Sequence, residues 1–414
     1  MAKFQTVSLS EVTTLVTKGT TPTTLGYAFT DSGVNFIKAE SVTLDGQIDE
    51  SVFAHIDEAT HKKLKRSQIE EGDILFSIAG MKLGKSAVVK SWHVPANTNQ
   101  AVAIIRTDRS KALPEFLHYH FLNPDHYRYV NAITAQAAQP NINLGQVGNL
   151  PISLPPLPVQ RRIAGILSAY DELMENSQRR IRLLEAMARA LYREWFVHFR
   201  FPGHEKHPRV ASPLGDIPQG WEVKKLGDTF KTVLGGTPSR VRSEFWEGGT
   251  IPWINSGKVN DLRITAPSEL ITELALKRSA AKLMPKGTTV LAITGATLGQ
   301  VSYLEIETTA NQSVVGIVDP SGLYSEWIYL TVADRIEGII NHASGGAQQH
   351  INKEVVNDVL VAPPPAPQAK EFKRLVGPMF REVATLLFKI QNLRRTRDLL
   401  LPRLLSGQVN LKEG

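Results

Sequence analysis

Residues Ile69 to Val89 read IEEGDILFSIAGMKLGKSAVV, and residues Met284 to Leu304 read MPKGTTVLAITGATLGQVSYL. In each, a glycine (Gly72, Gly287) is followed eight residues later by a second (Gly80, Gly295), and four after that by a third (Gly84, Gly299). Four further blocks repeat in the same order. LSEVTTLVTKGTTP from Leu9 parallels LGDTFKTVLGGTP from Leu226, and VNFIKAESV from Val34 parallels IPWINSGKV from Ile251. Asn99-Gln100 parallels Asn311-Gln312, and QPNIN from Gln139 parallels QQHIN from Gln348. The offset drifts only from 217 at the first block to 209 at the last. Chance similarity does not keep five blocks in register, so the chain is two diverged copies of one unit.

Each copy ends in a proline segment, LPPLPVQ (Leu154 to Gln160) or APPPAPQ (Ala362 to Gln368), which cannot continue a strand. A long apolar-periodic stretch follows each. Ile163, Ile166, Tyr170, Leu173, Leu184, Met187 and Leu191 step by three and four, with an interruption around Ser177. Phe372, Leu375, Met379, Val383, Leu386, Ile390, Leu393, Leu400 and Leu404 do the same, with Arg397 as a polar exception. That period is a coiled-coil seam, and its double occurrence predicts that the two helices pair. Pro402 is expected to kink or end the second.

The predicted order is a globule at 1–157, a spacer helix at 158–199, a connector at 200–217, a globule at 218–366, then a second spacer helix and tail at 367–414. Both globules read as mixed, with short β-rich runs such as DILFSIAG and TVLAITG between Gly, Pro, Asn and Thr turns. The fold class is therefore α+β: two similar mixed α/β globules joined by two long coiled-coil helices. Antiparallel pairing of those helices would give pseudo-twofold symmetry. A helix of 35 to 40 residues is roughly 52–60 Å long.

The chain has 414 residues and no cysteine, which excludes disulfide scaffolds, Cys-ligated zinc, iron–sulfur clusters and thiol catalysis. No run of 18 apolar residues predicts a membrane span, and MAKFQTVSLSEV lacks the apolar core of a signal peptide, so a cytoplasmic chain is expected. The net charge of +7 is unevenly placed. Residues 1–157 carry 14 basic and 14 acidic groups, residues 218–366 carry 13 and 15, and the excess lies in the tail, at +6 for 367–414. The globules are not basic blobs. Arg394, Arg395 and Arg397 are equally well a solvated coiled-coil face or a phosphate contact.

Catalytic motifs mostly fail on inspection. Ala79 to Ser86 (AGMKLGKS) fits a relaxed phosphate-binding loop, in which glycines free backbone N–H groups, a lysine meets the terminal phosphates and a hydroxyl meets magnesium. The second copy keeps the glycines but has Gln300-Val301 in place of Lys85-Ser86, so the shared feature is a turn. HEKH at His204 has the wrong spacing for a zinc helix. Asn123-Pro124-Asp125-His126 lacks the second proline and the aromatic of an amino-methyltransferase motif.

The repeated blocks are instead rich in Thr, Asn, Gln, Lys and Gly. Asn and Gln pair bidentately with adenine, and Arg and Lys with guanine, in the major groove. Asn99-Gln100 and Asn311-Gln312, identical in both copies, are better read as turn and cap residues. Residues that read different half-sites should differ between copies. That logic selects Met81, Lys82 and Lys85 against Thr297 and Gln300, with Thr294 opening the second loop. It also selects Arg240 and Arg242, and Pro140-Asn141 against Gln349-His350; Gln139 and Gln348, which open the same blocks, join the candidates as neighbours. Thr20, Thr21, Ser239 and Lys258, from the neighbouring blocks, complete the candidate DNA-binding set.

With these residues in view, the chain resembles the specificity (S) subunits of type I restriction–modification systems over essentially its whole length. GWEVKKLGD from Gly220, GGTPSRVRSEFWEGGTIPWINSGKV from Gly235, AITGATLGQ, GTTPTTLGYAFTDSGVNFIKAESV from Gly19, LYREWFVHF and LLSGQV are similar to that family. The resemblance implies two target-recognition domains that each read half of a split site in double-stranded DNA. It implies two methyltransferase (M) subunits that use S-adenosylmethionine, and restriction (R) subunits that use ATP and Mg. No catalysis, cofactor or metal is expected on this chain itself. The alternatives are a free-standing DNA-binding regulator, an assembly adaptor, and a nucleotide hydrolase at Ala79–Ser86.

Overall fold

The computed structural model describes residues 4–80, 82–133, 140–341 and 350–409. The chain divides into two compact units, 1–174 with 392–414, and 175–391, so the division falls inside each long helix.

In the first unit, the strands Thr13–Lys18, Val102–Thr107, Ile74–Ser77 and Ser86–Val88 form an antiparallel sheet in that spatial order. A second sheet orders Ala54–Ile56, Val34–Ile37, Ala96–Thr98 and Gln68–Ile69, with its central pair parallel. The second unit repeats both. Lys231–Leu234, Val314–Val318, Thr289–Ala292 and Val301–Leu304 form the first sheet, extended by Arg263–Ile264. Glu269–Ile271, Ile251–Ile254 and Thr309–Ala310 form the second, matching the first three strands of its counterpart with one antiparallel and one parallel pairing. Two copies that share block order thus share strand order. In each first sheet a helix, Pro114–Leu122 or Ser325–Ile340, packs on the fourth strand, Ser86–Val88 or Val301–Leu304.

Local chemistry explains why the blocks repeat. Gly72, Gly80 and Gly84, like Gly287, Gly295 and Gly299, all have positive φ, a conformation that L-residues with a Cβ rarely adopt. The last asparagine of QPNIN and QQHIN caps a short helix in each unit. Asn143 Oδ1 accepts from Gln146 N at 2.9 Å, and Asn352 Oδ1 accepts from Val355 N at 2.9 Å.

The long helices run Leu157–Tyr192 and Ala366–Leu405, about 54 and 60 Å at 1.5 Å per residue. They pair antiparallel within each unit. In the second unit Ile181 packs with Val383 and Leu386, while Phe196, further along, meets Phe372 at a ring separation of 4.7 Å. In the first unit Asp171 bonds Arg397 at 2.6 Å, and Ile163 and Leu167 share a core with Leu401 and Leu404.

Two details differ from the periodic reading. Beyond Tyr170 the buried seam of the first helix is Met174, Ser177, Ile181, Glu185, Ala188 and Tyr192, whereas Leu173 and Met187 are about half exposed. The seam does not break at Ser177; it passes through two polar residues, which hid its phase. Pro402 does not end the second helix, and Pro378 also lies inside it. Buried Val376 and Phe380 beside Pro378, and Leu401, Leu404 and Leu405 around Pro402, bind those turns into apolar cores that outweigh one lost backbone bond each. The segment 200–217 is also more than a linker: Phe201 is buried and stacks on Trp221, with rings 5.6 Å apart. Among the described residues, no helix is long and apolar enough to cross a membrane.

Candidate nucleic-acid interface

Four of the repeated blocks, distant in sequence, are stitched side by side in each unit. In the first, Thr20 N donates to Thr98 O, Ile78 N donates to Ala101 O, and Ile142 N donates to Ile78 O, with Ala79 bridged to Asn141. In the second, Gly236 N donates to Ala310 O, Ile293 N to Ser313 O, and Ile351 N to Ile293 O, with Thr294 bridged to His350. The order of loops along the edge is the same: the Gly-Thr-Pro turn, the Asn-Gln turn, the glycine loop, then the segment from Asn141 or His350.

The identical residues are the stitches. Gln100 Oε1 accepts from both the amide and the hydroxyl of Thr21, and Gln312 Oε1 accepts from Thr237 Oγ1 at 2.6 Å. Gly19 and Gly235 press so closely on this turn that a Cβ would lie 2.1 Å from Thr98 O and 2.2 Å from Asn311 O. No side chain fits there. The Asn-Gln pairs are therefore structural, as their identity in both copies suggests.

The candidate reading residues are placed differently along this edge. Lys82, Gln300 and His350 are exposed along the edge. Asn141 is exposed beside Ala79, while Thr294 and Thr297 are half-buried and joined by a Thr297 Oγ1 bond to Thr294 O at 3.3 Å. Met81, Gln139, Gln348 and Gln349 lie outside the described residues.

The remaining cations are engaged within the chain. Lys85 Nζ donates to Ala39 O at 2.6 Å; burial draws its pKa below the ordinary value, Glu40 opposes that, and Lys82 adds to it. Arg240 donates from both Nη atoms to Glu269 at 2.7 Å and lies over Trp246, 3.6 Å from its ring centre. Glu269 is held below the usual carboxylate pKa by that fork. Arg242 lies over Phe245 at 4.9 Å, and Lys258 pairs with Asp261 at 2.8 Å. Ser239 O accepts from Trp246 Nε1 at 3.2 Å.

The geometry excludes the nucleotide-hydrolase reading. After Gly84 the chain enters the strand Ser86–Val88, where a phosphate loop requires the N-terminus of a helix. Lys85 is tied to Ala39, and Ser86 is fully buried with Oγ facing His118 Nδ1 at 3.4 Å. Neither side chain can reach a phosphate.

Two buried ionic locks were not legible as sites. Arg397, the polar exception in the seam, is buried and bonds Asp171, whose other oxygen accepts from Tyr119 Oη at 2.6 Å. Arg263 bonds Glu185 and lies over Phe380, Tyr303 and Tyr329. Arg394 pairs with Asp45 at 3.0 Å, so only Arg395 of the three tail arginines is left to a solvated face.

Comparison with known proteins agrees with this architecture. Residues 1–186 and 218–375 each match the Type I restriction modification DNA specificity domain family. The chain is 27% identical over 361 residues to the type I restriction enzyme MjaIX specificity subunit of Methanocaldococcus jannaschii, covering 86% of this chain and 82% of that one. It is 24% identical over 431 residues to the HindI specificity subunit of Haemophilus influenzae, covering 88% and 93%. The crystal structure of a type I restriction-modification S subunit from M. genitalium shares the fold, with a TM-score of 0.61 at 15% identity over 97% of this chain and 96% of that one.

Proposed function

The chain belongs to the type I restriction–modification DNA specificity family, and from that premise we propose that each of its two globules reads one half of a split duplex target through its stitched loop edge. One observation carries this reading. The residues common to both edges hold the loops together, whereas those that differ (Lys82 against Thr297, Asn141 against His350) stand beside the stitches. A scaffold repeated with different contact residues is what reading two different half-sites requires.

The long helices act as the ruler between the half-sites and as the assembly surface. In this reading the duplicated unit offers two similar sites to two methyltransferase subunits, and restriction subunits join that complex. S-adenosylmethionine, ATP and Mg serve those partners; this chain positions DNA and catalyses nothing alone. The near-neutral globules supply little phosphate attraction, so tight binding depends on the assembled complex.

The test is to replace residues 218–366 with the matching region of a relative and to map methylated adenines in the complex with its methyltransferase. One half-site should change and the other should persist. Scrambling of both would overturn the modular reading.

A further inference from the structure

The Gly-Thr-Pro turn that opens each edge leads into a loop with one unexpected feature. Aligned on Thr21-Pro22 and Thr237-Pro238, the loops run Thr-Thr-Leu-Gly-Tyr-Ala-Phe to Phe29 and Ser-Arg-Val-Arg-Ser-Glu-Phe to Phe245. Leu25 and Val241 occupy the same register, and both are exposed, at 57% and 94%. Val241 is the most exposed large apolar side chain among the described residues.

A single exposed aliphatic residue needs no explanation. Here the exposure recurs at one position of a duplicated loop, and each loop is pinned at both ends. At the start, Thr21 and Thr237 are bonded by Gln100 and Gln312. At the end, Phe29 packs on Phe36 with rings 5.2 Å apart, and Phe245 is buried with Trp253 and Ile271. Between these anchors the tips are ordered turns: Pro22–Leu25 closes as one 3-10 turn onto Gly26, and Arg242 N donates to Ser239 O at 3.3 Å. The second tip is also braced by the Arg240–Glu269 fork and the Trp246 face under Arg240. The arginines on either side of Val241 are thus held by acid and aromatic neighbours, and the valine is what projects.

We infer that Leu25 and Val241 are base-reading residues, each making the apolar contact to the C5-methyl group of a thymine in the major groove of its own half-site. Major-groove thymine is the base that presents a methyl group, and aliphatic side chains are its matching contact. Arg240 and Arg242 flank Val241 and are each paired with a carboxylate, Glu269 and Glu244, whereas Leu25 is flanked by Thr24 and Gly26. The difference between leucine and valine, and between their flanks, fits two tips that meet different sequences.

This rests on the proposed reading of one half-site per globule, and the experiment separates the two. The full complex with its methyltransferase is assembled, its target is mapped by methylation, and binding is measured on duplexes in which each thymine is replaced in turn by deoxyuridine, which lacks only the methyl. With the native chain, one thymine in each half-site should lose about three- to tenfold in affinity, the order expected for one methyl group taken out of water. Val241→Ser should abolish that sensitivity in the half-site assigned to 218–366 alone, and Leu25→Ser in the other alone. A flat deoxyuridine scan, a half-site without an A·T pair, or sensitivity that survives both substitutions would overturn the inference while leaving the two-reader function intact. Weaker capture of methyltransferase by Val241→Ser, with the scan unchanged, would also overturn it. A native complex without any sequence preference would refute the function itself.

Discussion

Arg263 donates through Nε and Nη2 to a single oxygen of Glu185, at 3.1 and 2.5 Å, across 78 positions of sequence and with both side chains almost wholly buried. Glu305 stands on the other side, its Oε1 3.5 Å from Arg263 Nη1, and Phe380 covers the guanidinium face at 3.9 Å. Glu185 sits on the first long helix and Arg263 on the edge strand of the second globule. Within that unit the pair fixes which face of the helix the sheet sees.

Removing one partner should therefore cost more than the pair contributes. Glu185→Ala is expected to destabilise the second unit by about 3 kcal/mol, because the Arg263 charge is left buried with only Glu305 beside it. The double variant Glu185→Leu with Arg263→Met should recover most of that loss. Thermal unfolding of the full chain checks both, and a single variant as stable as the native chain would contradict the assignment.

Acid should weaken the first unit through three histidines. Burial pushes the pKa of His118 down to about 3, with the Lys90 and Arg397 charges adding to it. Burial also lowers His120 to about 4, against its bond to Pro151 O, and lowers His126 to about 3, with His120 contributing. The unfolded chain therefore binds more protons. Stability is complete above the ordinary histidine pKa of about 6.5 and falls as pH drops from there toward 4, by up to about 1.4 kcal/mol per pH unit for each histidine. The melting temperature measured from pH 7.5 to 4.5 should fall, and His126→Leu should flatten the slope.

The Gln100 and Gln312 stitches should matter more for reading than for folding. Gln100→Ala removes bonds at an exposed turn, so the expected stability loss is below about 1 kcal/mol. Methylation mapping of the complex should nonetheless show relaxed recognition in one half-site. Gln312→Ala should relax the other. Equal relaxation of both halves by either variant would break the link between stitch and reader.

Helix length should set the gap between half-sites. Seven residues inserted at matching levels of both long helices keep the seam in phase and add about 10 Å. The spacing in the methylated target should grow by about three base pairs at 3.4 Å each. An unchanged spacing would remove the ruler role.

The sequence by itself determined the duplication, the glycine turns and the two long helices, because each is written in local or periodic information. A positive-φ glycine, a capping asparagine or a three-four apolar step is visible without knowing its partner. It also carried the family resemblance, which rests on the same blocks. Side-chain placement was decided only in three dimensions. Glu185 and Ser177 occupy the buried seam as polar residues, so apolar periodicity assigned Leu173 and Met187 to a face that is open to solvent. Lys85, Arg240 and Arg397 look alike as cations in the chain, yet one bonds a carbonyl, one a surface carboxylate and one a half-buried aspartate. A charge is chosen by what lies within about 3 Å of it in space, and those neighbours, Ala39, Glu269 and Asp171, stand 46, 29 and 226 positions away in sequence. Tertiary packing alone separates a cation that can meet DNA from one already spent on the fold.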